Sequence, residues 1–298
     1  MNPMKARQHI PWLYSAPIFL VIGAVIIFPI INTLQISFTN MNVYHWFDYE
    51  YIGSENYQRV MFMLDSGFLA AIFRTILWTV LNIIIQVAFA FVIALGLNAL
   101  GPRLSTIYKT LLMFPWAMPA YVSILLWRMG MFNTEFGFLN KVLKSLGYDP
   151  INYLSGSLSA FLSCLVVNLW QALPFMIMMI DGALHSINKS FYESARLDGA
   201  GFWKLHTYIT IPMIRPILAP PVLMTTFLTF KQFDIVYLMT MQRGAVTGAN
   251  INTVLTYVYE KAFITNNYGY SSAAAVLVFV LILLLSLISR SELRSDGV

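Results

Sequence analysis

Residues 192–212 read YESARLDGAGFWKLHTYITIP and stand between two long apolar runs. Only 10% of the 298 residues are charged, yet this stretch concentrates several of them. Its charged or titratable residues are Glu193, Arg196, Asp198, Lys204 and His206. Gly199, Gly201 and Pro212 interrupt it at short intervals. The fold must therefore account for a short polar helix and turn inserted into an otherwise apolar chain.

The composition places the chain among membrane proteins. It is 58% hydrophobic and 15% aromatic, whereas a soluble domain has about 45–50% apolar and about 25% charged residues. The formal net charge is +5, which is ordinary for a membrane protein whose Lys and Arg gather in cytoplasmic loops. The positive balance therefore gives no reason to expect a nucleic-acid partner.

The side chains that an enzyme would need do not cluster. The single cysteine, Cys164, lies in an apolar run, so we exclude an internal disulfide and expect a packing role. The four histidines show no metal-ligand spacing, and no G-x-x-x-x-G-K segment is present to hold ATP phosphates. We expect no catalytic site, no metal and no cofactor.

Charge-free intervals predict an all-α polytopic membrane protein with six transmembrane helices, since a span needs about 20 mostly apolar residues. The estimated spans are residues 12–38, 70–98, 105–129, 157–184, 210–240 and 270–290. The first exceeds the apolar core of a signal peptide and is interpreted as a retained anchor. Pro115 and Pro119 are expected to introduce ordinary kinks in the third span. Lys231 and Asp234, three residues apart in the fifth, are expected to neutralise each other on one helix.

The distribution of positive charge predicts that both termini are cytoplasmic. The basic groups on that side are Lys5, Arg7, Arg103, Lys109, Lys189, Arg196, Lys204, Arg215, Arg290 and Arg294. The first loop on the opposite side holds four acids and one base, namely Asp48, Glu50, Glu55, Asp65 and Arg59. Residues 188–209 then form a cytoplasmic loop.

Within this loop the spacing predicts a short helix, a glycine turn and a return to the membrane. Residues 191–197 are helical in pattern, and Gly199 supplies a stop. A second amphipathic piece begins at Phe202, and Pro212 marks the start of the fifth span. From the residues alone, a simple interfacial connector and a surface for a partner both stay open.

The loop resembles the signature loop of binding-protein-dependent ABC importer permeases, whose pattern is E-A-A, three residues, G, nine residues, I-x-L-P. Residues 193–212 match this spacing, with Ser194 and Ile211 as mild departures. Segments in the order typical of the sugar-importer branch, most like its larger maltose- or lactose-type subunit, are IGSENYQRV (52–60), FPWAMP (114–119), FGFLN (136–140), LWQALPFM (169–176), FKQFDIVYLMT (230–240) and GYSSAAAV (269–276). Residues 241–244 depart from a Gly-Gly-Pro that relatives commonly carry, so the outer turn at 241–245 is expected to differ in shape.

The resemblance implies a type I permease fold, with residues 1–298 as a single transmembrane domain and the loop as a coupling helix held by a cytoplasmic ATPase. The implied coupling residues are Glu193, Ala195, Arg196, Asp198, Gly199, Ala200 and Pro212. Small residues permit close approach, Glu193 with Arg196 or Asp198 forms a pair that sets register, and Pro212 stiffens the link to the fifth span. The implied partners are two ATPase copies, a second permease forming a heterodimer, and an extracytoplasmic solute-binding protein, in a bacterial or archaeal cytoplasmic membrane.

Polar residues in the fourth and fifth spans are candidates for a solute path. Asn168, Ala172 and Phe175 share one helix face, and residues 225, 228, 229 and 232 form a stripe on the next span. Amides, hydroxyls and rings suit a sugar, but the same groups also join membrane helices, and the residues leave both open. The substrate-binding set implied by the resemblance is Asn168, Ala172, Phe175, Leu228, Thr229 and Gln232. Leu228 replaces an aromatic residue and Thr229 an amide, so the sugar is not fixed.

Two alternative functions accompany the importer of di- or oligosaccharides. One is a permease for a non-sugar solute such as a polyol or glycerol phosphate, and an anionic solute would give Lys231 and Arg128 a role in binding. An ion-coupled secondary transporter would need intramembrane carboxylates and inverted repeats, and the spans show almost no acids and no repeat.

Overall fold

The computed structural model describes residues 14–62, 66–240 and 251–295, without the side chains of Ser66 and residues 288–295. All regular elements in these ranges are helices, apart from one isolated bridge between Thr39 and Tyr51. Lys5, Arg7 and the turn at 241–245, which entered the predictions, lie outside the described residues.

Fourteen helices are numbered here in chain order over the described ranges. They are α1 Tyr14–Ile36, α2 Glu55–Met61, α3 Ser66–Ala99, α4 Pro102–Leu112, α5 Phe114–Ala117, α6 Ala120–Leu125, α7 Phe138–Ser145, α8 Ser157–His185, α9 Lys189–Leu197, α10 Phe202–Leu205, α11 Ile211–Phe230, α12 Asp234–Thr240, α13 Val254–Tyr259 and α14 Tyr268–Ser295. Wider π-helical turns occur at Gly23–Ile27 within α1, and at Leu126–Met131, His206–Thr210 and Glu260–Ile264.

Five helical segments of the described chain are long and apolar enough to cross a membrane. They are Tyr14–Ile36, Gly67–Ala99, Ser157–His185, Phe202–Thr240 and Tyr268–Leu287. A bent pair, Pro102–Ala117 with Ala120–Met131, makes a sixth if it counts as one span. The mostly helical, multi-span architecture predicted from the sequence is confirmed at this level.

The third predicted span is sharply broken, which the expectation of ordinary kinks missed. Its two halves meet at 91°. Met118 has an extended backbone, with ψ at 142°, and Pro119 follows as the cap of α6. A proline disfavours helical geometry in the residue before it, and here that preference ends α5 altogether.

The chain divides into two compact units. One comprises the described residues up to 69 together with 257–281, and the other comprises 70–256 and the residues from 282 onward that are described. In the second unit, buried apolar side chains form two clusters contributed mainly by α3 and α8. Cys164 is fully buried in the first of these, as a packing residue should be. The second cluster includes Ile177, Ile187 and Ile214, and so reaches both ends of the 188–209 loop.

Two segments that carried the resemblance contain a residue, Asn56 or Gly269, whose identity is explained by its contacts within the first unit. The amide of Asn56 donates to the carbonyls of Ser37 and Thr39, at 3.0 and 2.8 Å. The backbone N–H of Gly269 donates to Met41 at 2.8 Å, and a Cβ at 269 would collide with the Thr39 carbonyl oxygen. Glycine is therefore required at 269 by close backbone approach.

In the second unit, backbone contacts likewise explain the residues at two positions of the FGFLN segment, Gly137 and Asn140. A Cβ at Gly137 would collide with the backbone of Asn133. The fully buried Asn140 donates to the carbonyls of Asn133 and Ile151, each at 3.0 Å, and accepts from the Ile151 N–H at 2.8 Å. These residues hold a loop in place rather than a ligand.

Candidate coupling loop and solute path

The loop at 188–209 begins with a well-capped helix, α9. Asn188 has an extended backbone, and its side-chain oxygen accepts from the Ser190 N–H at 3.0 Å. This contact satisfies one of the N–H groups that a helix leaves free at its start. The helix thus begins two residues before the predicted Phe191 and ends at the predicted Leu197.

The glycine stop is confirmed, and its geometry is that of a Schellman motif. The Ala200 N–H donates to Ala195 at 2.9 Å, and the Gly199 N–H donates to Arg196 at 3.0 Å. Gly199 has φ +77°, in the left-handed region that costs other residues about 1–2 kcal/mol. No atom lies within 4 Å of a Cβ built there, so the requirement for glycine comes from the backbone conformation alone.

The predicted coupling residues surround this turn. Glu193, Arg196, Asp198 and Gly199 are exposed, and Ala195 and Ala200 are half-buried. No ion pair joins Glu193 or Asp198 to Arg196, so the charge pair expected to set register does not form within the chain. Their charges face outward instead, where they are available to another molecule.

Large apolar side chains of the loop are also exposed. Leu197 is 90% exposed and Trp203 is 80% exposed, and Phe191 is exposed as well. By contrast, Ile187 and Leu205 are buried and anchor the two ends of the loop. Pro212 is exposed at the start of α11.

A buried ion pair near the loop was missed in the sequence analysis. The Lys109 ammonium in α4 lies 2.6 Å from the Asp181 carboxylate in α8. Asn98 of α3 also donates to Asp181, at 3.0 Å. In the sequence analysis Lys109 was only one of the basic groups on the cytoplasmic side, and Asp181 had no role. The available signal was that Asp181, an acid near the cytoplasmic end of the fourth predicted span, falls on the same predicted side of the membrane as Lys109.

In the candidate solute path, Asn168 already has a protein partner. It is 5% exposed, and its amide donates to the Asn82 side chain at 2.7 Å. Asn82 in turn donates to the Trp78 carbonyl at 2.7 Å. In this conformation the amide joins α8 to α3, which is the structural use left open above.

The other two residues of the predicted face on α8 are Ala172 and Phe175. The Ala172 carbonyl accepts from Gln86 of α3 at 2.8 Å, and the side-chain oxygen of Gln86 is buried with no hydrogen-bond partner in the described part of the chain. Phe175 is half-buried. Asn168 and Ala172 therefore lie along one α3–α8 contact line, which also holds an unused acceptor.

The predicted stripe on the fifth span is divided by a helix break. The helix α11 ends at Phe230, and α12 begins at Asp234. Thr229 is buried, Leu228 is 45% exposed, and Gln232 lies in the break. Lys231 and Asp234 are therefore not on one helix and form no ion pair, which corrects the expectation of mutual neutralisation.

Comparison with known proteins decides the family. Residues 86–291, well over half of the chain, match the family described as binding-protein-dependent transport system inner membrane component. The chain belongs to this family. The resemblance drawn from the 193–212 loop is therefore confirmed, and the chain is a membrane transport component rather than an enzyme.

Relatives of this inner membrane component include several carbohydrate permeases. It is 29% identical to the trehalose/maltose transport system permease protein MalF of Thermococcus litoralis, over 95% of this chain and 93% of that one. It is 28% identical to the galactooligosaccharides transport system permease protein GanP of Bacillus subtilis, over 97% and 72%. It is 30% identical to the sulfoquinovosyl glycerol transport system permease protein SmoG of Agrobacterium fabrum, over 90% and 85%.

A solved structure shares the fold. A chain of a bacterial ABC transporter that imports the acidic polysaccharide alginate aligns over the full length of both chains, with a TM-score of 0.81 and 20% identity. This likeness supports the fold alone. Together with the family match, it establishes a multi-pass permease of the ABC importer type.

Proposed function

We propose that this chain is one of two permease subunits of an ATP-driven importer for di- or oligosaccharides. Six spans with both termini in the cytoplasm, in a single domain of residues 1–298, agree with the charge distribution. The named relatives transport trehalose or maltose, galactooligosaccharides and a sugar glycoside. The membrane is the cytoplasmic membrane of a bacterium or archaeon.

The observation that carries the proposal is the helix and turn of residues 188–200, which is solvent-exposed and is stabilised by hydrogen bonds within the loop itself. Capping at Asn188 and the Schellman motif at Gly199 fix its shape without help from a partner. Its exposed Leu197 and the small residues at 195 and 200 suit insertion into a cleft of a cytoplasmic ATPase. Closure of the ATPase subunits then moves α9 as a rigid body and tilts the spans attached to it.

The charged side chains give the coupling loop its orientation in that cleft. Glu193, Arg196 and Asp198 are exposed and unpaired with one another, so each can meet an opposite charge on the ATPase. Electrostatic complementarity of this kind sets register and specificity. The chain has no phosphate-binding loop, so two ATPase copies supply ATP hydrolysis, and no cofactor is required.

The solute path combines residues of α8 and α11 with those of the second permease. The candidate set is Asn168, Ala172, Phe175, Leu228, Thr229 and Gln232. For Asn168 to bind a sugar hydroxyl, its bond with Asn82 must be exchanged for one with the solute, which a shift of α8 against α3 would permit. An extracytoplasmic binding protein delivers the sugar.

A second candidate is transport of a non-sugar solute such as a polyol or glycerol phosphate, and one feature favours the anionic member of this pair, glycerol phosphate. Lys231 is exposed in the break between α11 and α12 and forms no ion pair with the residues that the structure describes. An ammonium group there would attract an anionic solute.

Reconstituted uptake tests the proposal. Proteoliposomes would contain this chain with its partner permease, ATPase and binding protein, and uptake of radiolabelled maltotriose, trehalose, galactotriose and glycerol 3-phosphate would be measured with ATP or a non-hydrolysable analogue. We expect ATP-dependent uptake of at least one sugar. Uptake of glycerol 3-phosphate alone would select the second candidate, and uptake without ATP would contradict both.

A further inference from the structure

The hydroxyl of Thr210 is the meeting point of three contacts at the base of the fifth span. Thr210 is fully buried. Its oxygen lies 3.0 Å from the Tyr192 hydroxyl, 2.9 Å from Nδ1 of His206, and 3.4 Å from the Leu205 carbonyl oxygen. We call Tyr192, His206 and Thr210 the hydroxyl node.

These contacts match what one hydroxyl can make. A threonine hydroxyl donates once and accepts twice. The Thr210 hydroxyl can donate to the Leu205 carbonyl and accept from Tyr192 and from an Nδ1-protonated His206. These three bonds use its one donor and both of its acceptor positions. Removal of this hydroxyl would leave three polar groups without a shared partner, and an unpaired buried polar group is costly.

The node joins parts of the chain that the turn alone connects weakly. Tyr192 lies in the helix α9, whereas Thr210 ends the π-helical turn His206–Thr210 and directly precedes α11. The His206 ring also packs against Phe202 at 4.3 Å and Phe91 of α3 at 6.1 Å, measured between ring centroids. Between α9 and α10 runs only the glycine-containing turn of residues 198–201.

We propose that Tyr192 and Thr210 are positioning residues that make α9 and α11 move as one body when an ATPase displaces α9. The inference rests on the proposed function, because it assigns the route by which the coupling loop reaches the fifth span. π-helical turns are frequent at functional sites, and here the wider turn brings the Thr210 side chain within reach of both Tyr192 and His206. His206 orients the shared hydroxyl from the second side.

Matched variants isolate the node. Tyr192→Phe and Thr210→Val each remove one hydroxyl while keeping shape. Tyr208→Phe removes an exposed tyrosine hydroxyl, and Thr207→Val removes an exposed hydroxyl that donates to the Trp203 carbonyl at 2.8 Å. Thr210→Ser retains the hydroxyl and serves as the conservative variant.

The experiment measures sugar uptake and ATP hydrolysis in the same proteoliposomes, with maltotriose, trehalose and galactotriose as probes. Substitutions along a coupling route change coupling by about 0.5–2 kcal/mol. We therefore expect node variants to lower the sugar taken up per ATP hydrolysed by about twofold to thirtyfold, at a retained hydrolysis rate. Tyr208→Phe, Thr207→Val and Thr210→Ser should keep the wild-type ratio, and the double node variant should fall no further than the worse single variant.

One result overturns the inference: an uptake-to-hydrolysis ratio in Tyr192→Phe equal to that of the wild type at equal complex yield, whether both activities are retained or both fall by the same factor. If Thr210→Val does not assemble, Tyr192→Phe and Thr210→Ser decide the matter in the same way. A wild-type complex that shows no ATP-dependent uptake would instead contradict the proposed function, so the two failures are distinguishable.

Discussion

The coupling loop and the candidate solute path use polar residues in opposite ways. In the loop, Glu193, Arg196 and Asp198 point outward, and backbone hydrogen bonds alone fix the turn. In the path, the amides of Asn82 and Asn168 are buried and bonded to each other. The loop thus has its shape without a partner, whereas the proposed path would have to exchange internal hydrogen bonds before it could hold a solute.

The largest expected effect comes from breaking the turn of the loop. Gly199→Asp places a side chain at φ +77°, a conformation that aspartate adopts less readily than glycine, and adds a charge at the proposed ATPase contact. We expect uptake to fall at least about tenfold, a change equivalent to about 1.4 kcal/mol, while membrane insertion and yield are retained. Uptake in proteoliposomes and the yield of purified chain provide the two readouts.

Gly199→Asn is the matched control for this prediction. It has the same size without the charge, and asparagine tolerates the left-handed conformation better than most residues. It should retain more uptake than Gly199→Asp. Wild-type uptake by Gly199→Asp itself would remove the loop from the mechanism.

An intermediate effect is expected at the ion pair between Lys109 and Asp181, which lies near the start of the loop. Asp181→Ala leaves the Lys109 ammonium without its partner. Because the Lys109 side chain retains some solvent access, we expect a loss of about 1–3 kcal/mol in unfolding free energy, seen as a lower melting temperature in detergent. The double variant Asp181→Leu with Lys109→Met should recover most of this loss, since two apolar groups leave no buried charge.

If the double variant melts no higher than Asp181→Ala, the ion pair is not what the single substitution disrupts. The contacts of the Asp181 carboxylate with Asn98 and His185 would then account for the loss.

The smallest effect is expected at Asn168 in the solute path. It distinguishes a purely structural role of this residue from a role in sugar binding. Asn168→Leu strands the Asn82 side-chain oxygen and should cost about 0.5–2 kcal/mol in unfolding free energy. If Asn168 also binds the sugar, KM for uptake should rise further than in Asn82→Leu, which breaks the same bond from the other side. Equal KM values in both variants would reduce Asn168 to a structural role.

Local features of the fold could be predicted because their causes lie within a few residues. The Schellman turn requires only a glycine, Gly199, two residues after the last residue of the predicted helix. The long spans require only uninterrupted apolar runs. The two ends of α9 differ from the prediction by no more than two residues.

Long-range features could not be predicted from one sequence. Asn168 and Asn82 are 86 positions apart, and the pairing of Lys109 with Asp181 depends on how α4 packs against α8. The break at Pro119 is local in origin, but proline in a membrane helix can kink or end it according to its neighbours. The same holds for the break at residues 231–233, which divided the predicted polar stripe.

Site-directed photo-cross-linking from the loop tests the central claim most directly. Cysteine would be placed at Ala195 or Asp198 in a Cys164→Ala background, labelled with a benzophenone maleimide and irradiated in the assembled complex. Cysteine at Tyr44, exposed on the predicted opposite side of the membrane, is the control. We predict adducts with the ATPase subunit from positions 195 and 198 and none from position 44; an intact complex that yields no ATPase adduct from either loop position would contradict the account.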